Sequence, residues 1–221
     1  MFVEKPDAYK KGNIQFNNNF IDLSYHPLIP RVETEFWVQK AIQFLQKNKF
    51  DKLPLKCLDL FSGSGCIGIS ILKKLPNSFV VFSDKNSLCI KQIKLNLKLN
   101  YIQKNRFQVI KSDIFSNIKR KFNVIFANPP YIAEKFLERV QDSVLYWEPL
   151  DAILGGWDGT EIIKKFLIQA RNHLEKNGII FLEFDSEQKQ IIKTFIQKNK
   201  YKKFYFLKDQ FGNDRYVKII Y

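Results

Sequence analysis

From about residue 55 onward, short apolar runs rich in β-branched and aromatic residues alternate with longer amphipathic stretches. The runs "LKCLDLF", "FVVFS", "FQVIK" and "FNVIFA" predict four buried strands. Between them, "CIGISILKKL" and "NSLCIKQIKLNLKLN" repeat their apolar positions at helical spacing and predict helices. A loop after the fourth strand leads to a helix over "EIIKKFLIQARNHLEKN", a strand "GIIFLEF" and a helix over "SEQKQIIKTFIQKNK". Two last strands, "KKFYFLK" and "RYVKII", flank "DQFGND", whose Gly-Asn suits a hairpin turn. This alternation predicts an α/β fold, a Rossmann-like seven-stranded, mostly parallel sheet covered by helices and ending in an antiparallel hairpin. Upstream, "IQFNNNFIDL" predicts a small β-hairpin about an Asn turn, and "ETEFWVQKAIQFLQKN" a helix leading into the sheet. The chain therefore divides into an N-terminal hairpin and lead-in helix, residues 1–50, and a main domain, residues 51–221, with neither repeat nor linker between them.

Composition changes this picture little. Hydrophobic residues are 45% and charged residues 26%, the balance of a soluble globular chain. The longest apolar runs fall far short of the roughly 20 residues of a membrane helix. The opening "MFVEKPDAYKKGN" has acidic residues and no apolar core, so neither a signal nor a transit peptide is expected, and the cytoplasm is the default. Cys57, Cys66 and Cys89 form no CxxC pair and stand in apolar segments, where a thiol acts as a small hydrophobe. With only His26 and His173 besides, no metal-ligand spacing exists and no catalytic metal is expected. The net charge of +14 admits two readings. It suits a polyanionic partner such as RNA or a ribosome-associated factor. It also suits mere compositional bias, since Lys91, Lys94 and Lys98 recur as the solvated face of a helix does.

The first chemical signal is "LDLFSGSGCIG". Gly63 and Gly65 remove side chains where the chain turns sharply, so that a nucleotide-like ligand can lie against the backbone before the next helix. Asp59, just ahead of them, could hold an amino group, which S-adenosylmethionine has and a pyrophosphate lacks. Asp84 ends the second strand, where an acid can accept both ribose hydroxyls. Asp113 in "KSDIF" follows the third, positioned for an adenine amino group, with Ile114 or Phe115 against the ring. Each acid alone could be a helix N-cap. Three at successive strand ends point to one ligand, because open α/β sheets bind beyond the carboxyl ends of their strands.

The second signal is Asn128-Pro129-Pro130-Tyr131, which follows the fourth strand. A residue before proline is driven into extended backbone, so Asn128 and Pro129 hold their acceptors in set directions. The Asn128 side-chain oxygen and the Pro129 carbonyl can accept both hydrogens of a planar NH2 group. Such a nitrogen is a poor nucleophile, and two acceptors favour the pyramidal form that develops as a methyl group arrives. Tyr131 is expected to lie over the substrate plane and face a sulfonium with its π cloud. A glutamine amide and the exocyclic amines of adenine or guanine all present this planar group.

Taken together, a Rossmann-like sheet ending in a hairpin is the architecture of class I S-adenosylmethionine-dependent methyltransferases, and the chain resembles one family of them. "PLIPRVETEFWV", "LDLFSGSGCIGIS", "NPPYI", "YWEPLDAILGGWDGTEIIKKFL", and "LEFDSEQ" followed by "DQFGNDRYV" are similar to segments of the release factor glutamine methyltransferases, the PrmC/HemK family. The resemblance runs from about Gly12 to the C-terminus. It implies that Asn128, Pro129, Pro130 and Tyr131 bind the glutamine of the Gly-Gly-Gln tripeptide of a release factor. It further implies that Phe61, Ser62, Gly63, Ser64 and Gly65, with Asp84, Asp113 or Ile114, and Asn128, surround S-adenosyl-L-methionine. By the same resemblance Arg31, Glu33 and Thr34 line the pocket, while Glu33 and Glu35 also suit a helix start. Three departures stand out: Phe61 replaces the usual first glycine of the loop, "LEFDS" replaces a glycine-containing turn, and the usual N-terminal helical domain is expected to be missing. A monomeric enzyme acting on a release factor is the expectation, with contact to nucleic acid or the ribosome through the basic surface. The rival readings are a methyltransferase of adenine or guanine amines in RNA or DNA, and a non-catalytic basic binding protein of this fold.

Overall fold

A computed structural model describes residues 3–221. A short helix, α1 (Asp7–Lys11), precedes strands β1 (Asn13–Phe16) and β2 (Asn19–Asp22), which pair antiparallel. Asn17 and Asn18 turn the hairpin with φ of 51° and 62°. A two-residue turn with both φ values positive matches hairpin twist, and asparagine tolerates that region better than other side chains. Helix α2 (Val32–Lys47) follows, with Glu33 and Glu35 in its first turn as expected.

The main sheet is built from β3 (Leu55–Leu60), β4 (Ser78–Asp84), β5 (Phe107–Lys111), β6 (Phe122–Ala127), β7 (Leu174–Glu183), β8 (Lys203–Lys208) and β9 (Asp214–Ile220). Their spatial order is β5-β4-β3-β6-β7-β9-β8, parallel through β7, with β9 antiparallel to both neighbours. The seven-stranded sheet with its closing hairpin is thus as the alternation predicts. Helices α3 (Cys66–Lys74), α4 (Ser87–Leu99), α5 (Asp142–Trp147), α6 (Leu150–Ile153), α7 (Glu161–Ala170) and α8 (Lys189–Lys198) connect the strands. The strand order reverses between β3 and β6, where an α/β sheet leaves a crevice beyond its carboxyl ends.

Two boundaries differ from the pattern reading. The helix expected over residues 161–177 ends at Ala170, and β7 begins at Leu174 instead of Gly178. Leu174 is buried and pairs with Phe122, and the register shifts between Phe122 and Val124. Burial of one leucine in the sheet outweighs a helical period that continues in the sequence, as tertiary contacts override weak propensity. The segment after Tyr131, expected as a loop, contains α5 and α6.

Helix α4 shows what fastens the N-terminal hairpin. Lys91, Lys94 and Lys98 are exposed as expected, and the opposite face buries Gln92 and Asn96 among Cys89, Ile93 and Leu97. Asn96 accepts from the Asp22 N–H at 2.8 Å and donates to the Asp22 and Ser64 carbonyls at 3.0 and 2.9 Å. The Gln92 side-chain oxygen accepts from the Tyr25 N–H at 2.8 Å. Buried Asn96 thereby joins β2 to the glycine loop, buried Gln92 fastens the chain that follows β2, and both side chains are satisfied. Phe16, Ile21 and Trp37 continue into the same apolar core as Cys57, Phe82 and Phe126. All three cysteines are free and buried. Among the described residues no three His, Cys, Asp or Glu side chains gather as metal ligands, and no helix is long and apolar enough to cross a membrane.

Candidate active site

Beyond the carboxyl ends of β3, β4, β5 and β6 lies a cleft enclosing about 1030 Å³, open solvent at its mouth included. Ser62 shapes its floor. The Ser62 hydroxyl donates to the Asp59 carbonyl at 2.6 Å and accepts from the Ser83 N–H at 3.0 Å, while its own N–H donates to the Ser83 carbonyl at 3.1 Å. Tied to β4 in this way, the chain must reverse at Phe61, whose φ is 62°. That left-handed conformation is costly for a bulky residue and free for glycine. The Phe61 ring packs edge-on against Phe166 with centroids 6.2 Å apart. Gly63 has φ 53°, and a Cβ there would meet nothing within 4 Å, so its backbone faces open space.

Asp84 stands at the end of β4 on the cleft wall. Its two oxygens accept from the Gly63 and Asn86 N–H groups, each at 2.9 Å. Burial pushes this carboxyl up from its ordinary value, and those two N–H groups oppose the shift. Each oxygen keeps a second acceptor site, enough for a pair of vicinal hydroxyls. Asp84→Ala is expected to weaken cofactor binding by about 1.5 to 3 kcal/mol, the worth of charge-assisted hydrogen bonds. Calorimetry giving wild-type affinity would remove Asp84 from the site.

At the end of β5, Asp113 is exposed on the wall and Ile114 is buried against it. Ile114 has φ 47°, an outlier for a β-branched residue, and is held by the Ser112 hydroxyl, which donates to the Ile114 carbonyl at 3.0 Å. Of the two apolar candidates, Ile114 meets the cleft. Phe115 turns into the core, where it stacks on His173 at 4.3 Å.

Several expected site residues stand elsewhere. Asp59 is fully buried, and its carboxylate faces α3 instead of the cleft, one oxygen accepting from the Gly68 N–H at 2.9 Å and the other without a partner. Burial first, then the nearby Asp84 charge, push its carboxyl up to about 7. The role the structure gives Asp59 is to fasten the start of α3, because its strand position points it to the helix side of the sheet. Gly65 caps α3 at φ 83° behind the wall, and Glu33 is half-buried away from it. Ser64, Arg31 and Thr34 do reach the cleft.

Asn128 and Pro130 line the cleft beside the glycine loop, whereas Pro129, also expected at the site, is buried between them and forms no part of the wall. Among the described residues no protein donor reaches the Pro129 carbonyl. The following chain is clamped by the "GGWDG" segment. Ile132 donates to the Ile153 carbonyl at 2.8 Å and accepts from the Gly155 N–H at 2.9 Å, and Gln188 donates to the Tyr131 carbonyl at 2.7 Å. Tyr131, expected over the substrate plane, instead turns its hydroxyl inward to donate to Glu183 at 2.9 Å and forms no part of the wall. Glu183 also accepts from the Thr34 hydroxyl at 2.7 Å and the Trp37 indole N–H at 2.5 Å. Asn128 donates through its side-chain nitrogen to the Thr34 oxygen at 3.3 Å.

Glu148 does similar work for the upstream segment. It is buried, receives the Ile29 N–H at 3.0 Å, and pairs with the Arg31 guanidinium at 2.5 Å. That pair explains why "IPRVETE" and "EPLDAILGG" belong together: one supplies the cation, the other its buried partner. Glu148, Glu183 and Trp37 escaped the sequence reading. The visible signal was Glu183 itself, a lone acid inside the apolar run "GIIFLEF", since an ionised group so placed requires donors around it.

Asp84, Asp113 and Asp151 line the cleft together with Arg31 and Lys85, and Lys85 pairs with Asp151 at 3.7 Å, so the wall carries both signs of charge in a protein of net charge +14. Asn128 and Pro130 stand on the same wall. Comparisons with known proteins identify the family and the fold. Residues 38–146 match the methyltransferase small domain family. The solved ribosomal protein L11 methylase from Lactobacillus delbrueckii subsp. bulgaricus shares the fold, with a TM-score of 0.64 and 18% identity over 91% of this chain and 83% of that one. The release factor glutamine methyltransferase of Thermodesulfovibrio yellowstonii is 32% identical, over 96% of this chain and 75% of its own length. That of Buchnera aphidicola subsp. Schizaphis graminum is 33% identical, over 96% and 74%. A glycine-floored cleft beside the NPPY segment, in a chain about a third identical to each relative over about three quarters of its length, has one consistent assignment: the protein belongs to the release factor glutamine methyltransferase family.

Proposed function

We propose that this enzyme transfers the methyl group of S-adenosylmethionine to the side-chain amide nitrogen of the glutamine in the Gly-Gly-Gln segment of a peptide-chain release factor. The observation that carries the reading is the pair of free acceptors, the Asn128 side-chain oxygen and the Pro129 carbonyl, in a segment whose Asn128 and Pro130 line the cleft with Asp84 and Asp113. The wall fits the cofactor: Gly63 leaves open space for close approach, Asp84 retains acceptor capacity for a ribose, and Asp113 with Ile114 suits an adenine. When bound, S-adenosylmethionine supplies an electrophilic methyl group on a sulfonium. The chain's own contribution is to the nucleophile. Asn128 and Pro129 accept its two hydrogens and so favour the pyramidal nitrogen of the transition state over the planar ground state. Their directions are preset by the prolines and by the clamp on Ile132, so little reorganisation is needed when the bond forms.

Labelled S-adenosylmethionine offered separately with purified release factor, ribosomal RNA and DNA tests the reading. Label on the factor's Gly-Gly-Gln glutamine is the expected result. Label on RNA or DNA with none on the factor would overturn it in favour of an exocyclic amine. The basic surface is proposed to aid docking, with contact to the ribosome or nucleic acid as its extension. Methylation of the full-length factor should then slow as salt rises from about 50 to about 300 mM, where the screening length shortens about 2.4-fold. A salt-independent rate would show that charge does not guide docking.

A further inference from the structure

The NPPY acceptor pair works only if Asn128 turns its oxygen, and not its NH2, toward the substrate. An asparagine amide is nearly symmetric in shape, so sterics alone do not choose between the two. The donor count behind it does. Glu183 is 1% exposed at the carboxyl end of β7. The Trp37 indole can only donate, and it donates to Glu183 Oε2. As a carboxylate, the form its three donors favour, Glu183 can only accept, so the Thr34 hydroxyl, 2.7 Å from the same Oε2, directs its single hydrogen there. The Thr34 oxygen is left with lone pairs alone. Its neighbour at 3.3 Å on Asn128 must then be the nitrogen, which turns the Asn128 oxygen away from Thr34 and into the cleft. The other carboxylate oxygen receives the Tyr131 hydroxyl at 2.9 Å and pins the far end of the same motif.

We infer that Glu183 and Thr34 are positioning residues: a buried carboxylate, acting through one threonine hydroxyl, sets which end of Asn128 meets the substrate amide. The inference rests on the proposed methyl transfer and adds to it the device that makes Asn128 an acceptor. A reversed Asn128 would point an NH2 at an NH2, donor against donor. Trp37 is part of the device because, having no lone pair to offer, it gives Oε2 its direction.

The test compares Thr34→Val, which keeps the shape and removes the hydroxyl, with Thr34→Ser, which restores it. Single-turnover methylation of the release factor should fall about tenfold in Thr34→Val, the effect of one hydrogen bond, and return to within about twofold of wild type in Thr34→Ser. Cofactor affinity should hold in both, which a general loosening of the fold would not allow. A wild-type enzyme that labels no release factor would defeat the proposed function itself. A wild-type enzyme that labels it, with Thr34→Val equally fast, would overturn this inference alone. A second readout needs no Thr34 variant. The Asn128 side-chain amide resonances, assigned by their loss in Asn128→Asp, should show one proton slowed in exchange by its bond to Thr34. Both protons exchanging at the rate of a free amide would overturn the inference.

Discussion

Asn128→Ala should lower single-turnover methylation of a Gly-Gly-Gln-containing release factor by about 10²- to 10³-fold, or about 2.7 to 4 kcal/mol, the usual cost of removing one preorganised group that acts in the transition state. The substitution leaves both prolines and the clamp of Ile132 on Ile153 and Gly155 in place, so the strand end keeps its shape. The loss should therefore appear in turnover, while cofactor affinity changes much less. Asn128→Asp is the sharper variant. It keeps an acceptor of the same size but sets a carboxylate beside the Thr34 oxygen, where Asn128 now donates. It should retain more activity than alanine if accepting hydrogens is the whole role. Rapid-quench methylation and calorimetric cofactor binding on both variants separate the two effects. Near wild-type turnover in Asn128→Ala would sink the two-acceptor mechanism.

Gly155→Ala should be nearly as damaging, although residue 155 supplies no functional group. A Cβ there would stand 2.5 Å from the Gly159 carbonyl oxygen, 2.7 Å from that of Pro130 and 2.8 Å from the Tyr131 Cα. All three are backbone atoms, so no side chain can swing aside and the NPPY chain itself must shift. A displacement of about 1 Å in a positioned group costs on the order of 10²-fold in rate. Overpacking of this kind costs typically about 1 to 3 kcal/mol of stability, a fall of several degrees in Tm for a chain of this size. Gly12→Ala is the control. Gly12 has φ 72° but nothing within 4 Å of a Cβ, so it should lose some stability and no turnover. A Gly155→Ala enzyme as fast as the Gly12→Ala control would show that the "GGWDG" segment does not position the motif.

The two variants probe parts of the molecule that differ in how far they were legible beforehand. Asn128 stands in a four-residue stretch whose consequences are local. Two prolines restrict their own and the preceding backbones whatever the rest of the chain does. Gly155 lies some 25 residues on, and nothing near it in the sequence says that its missing side chain makes room for the backbone of Pro130 and Tyr131.

What the sequence determined by itself were most of the elements and the place of the cleft. Strands and helices follow from apolar spacing, the Asn turn from the tolerance of Asn17 and Asn18 for positive φ, and the cleft from the rule that parallel sheets bind beyond their carboxyl ends. Each is a property of residues adjacent in the chain or of a regular lattice of strands. The tertiary structure alone decided which way each polar side chain faces. Asp59 and Asp84 both sit in strands that end at the cleft, yet Asp59 is turned to the Gly68 N–H and Asp84 to that of Gly63. Tyr131 points at Glu183, Arg31 meets Glu148 across 117 residues, and Thr34 meets Glu183 across 149. A buried charge or amide must be satisfied by whichever donors the packed fold brings within about 3 Å, and those partners are chosen by three-dimensional proximity, to which sequence spacing gives no guide.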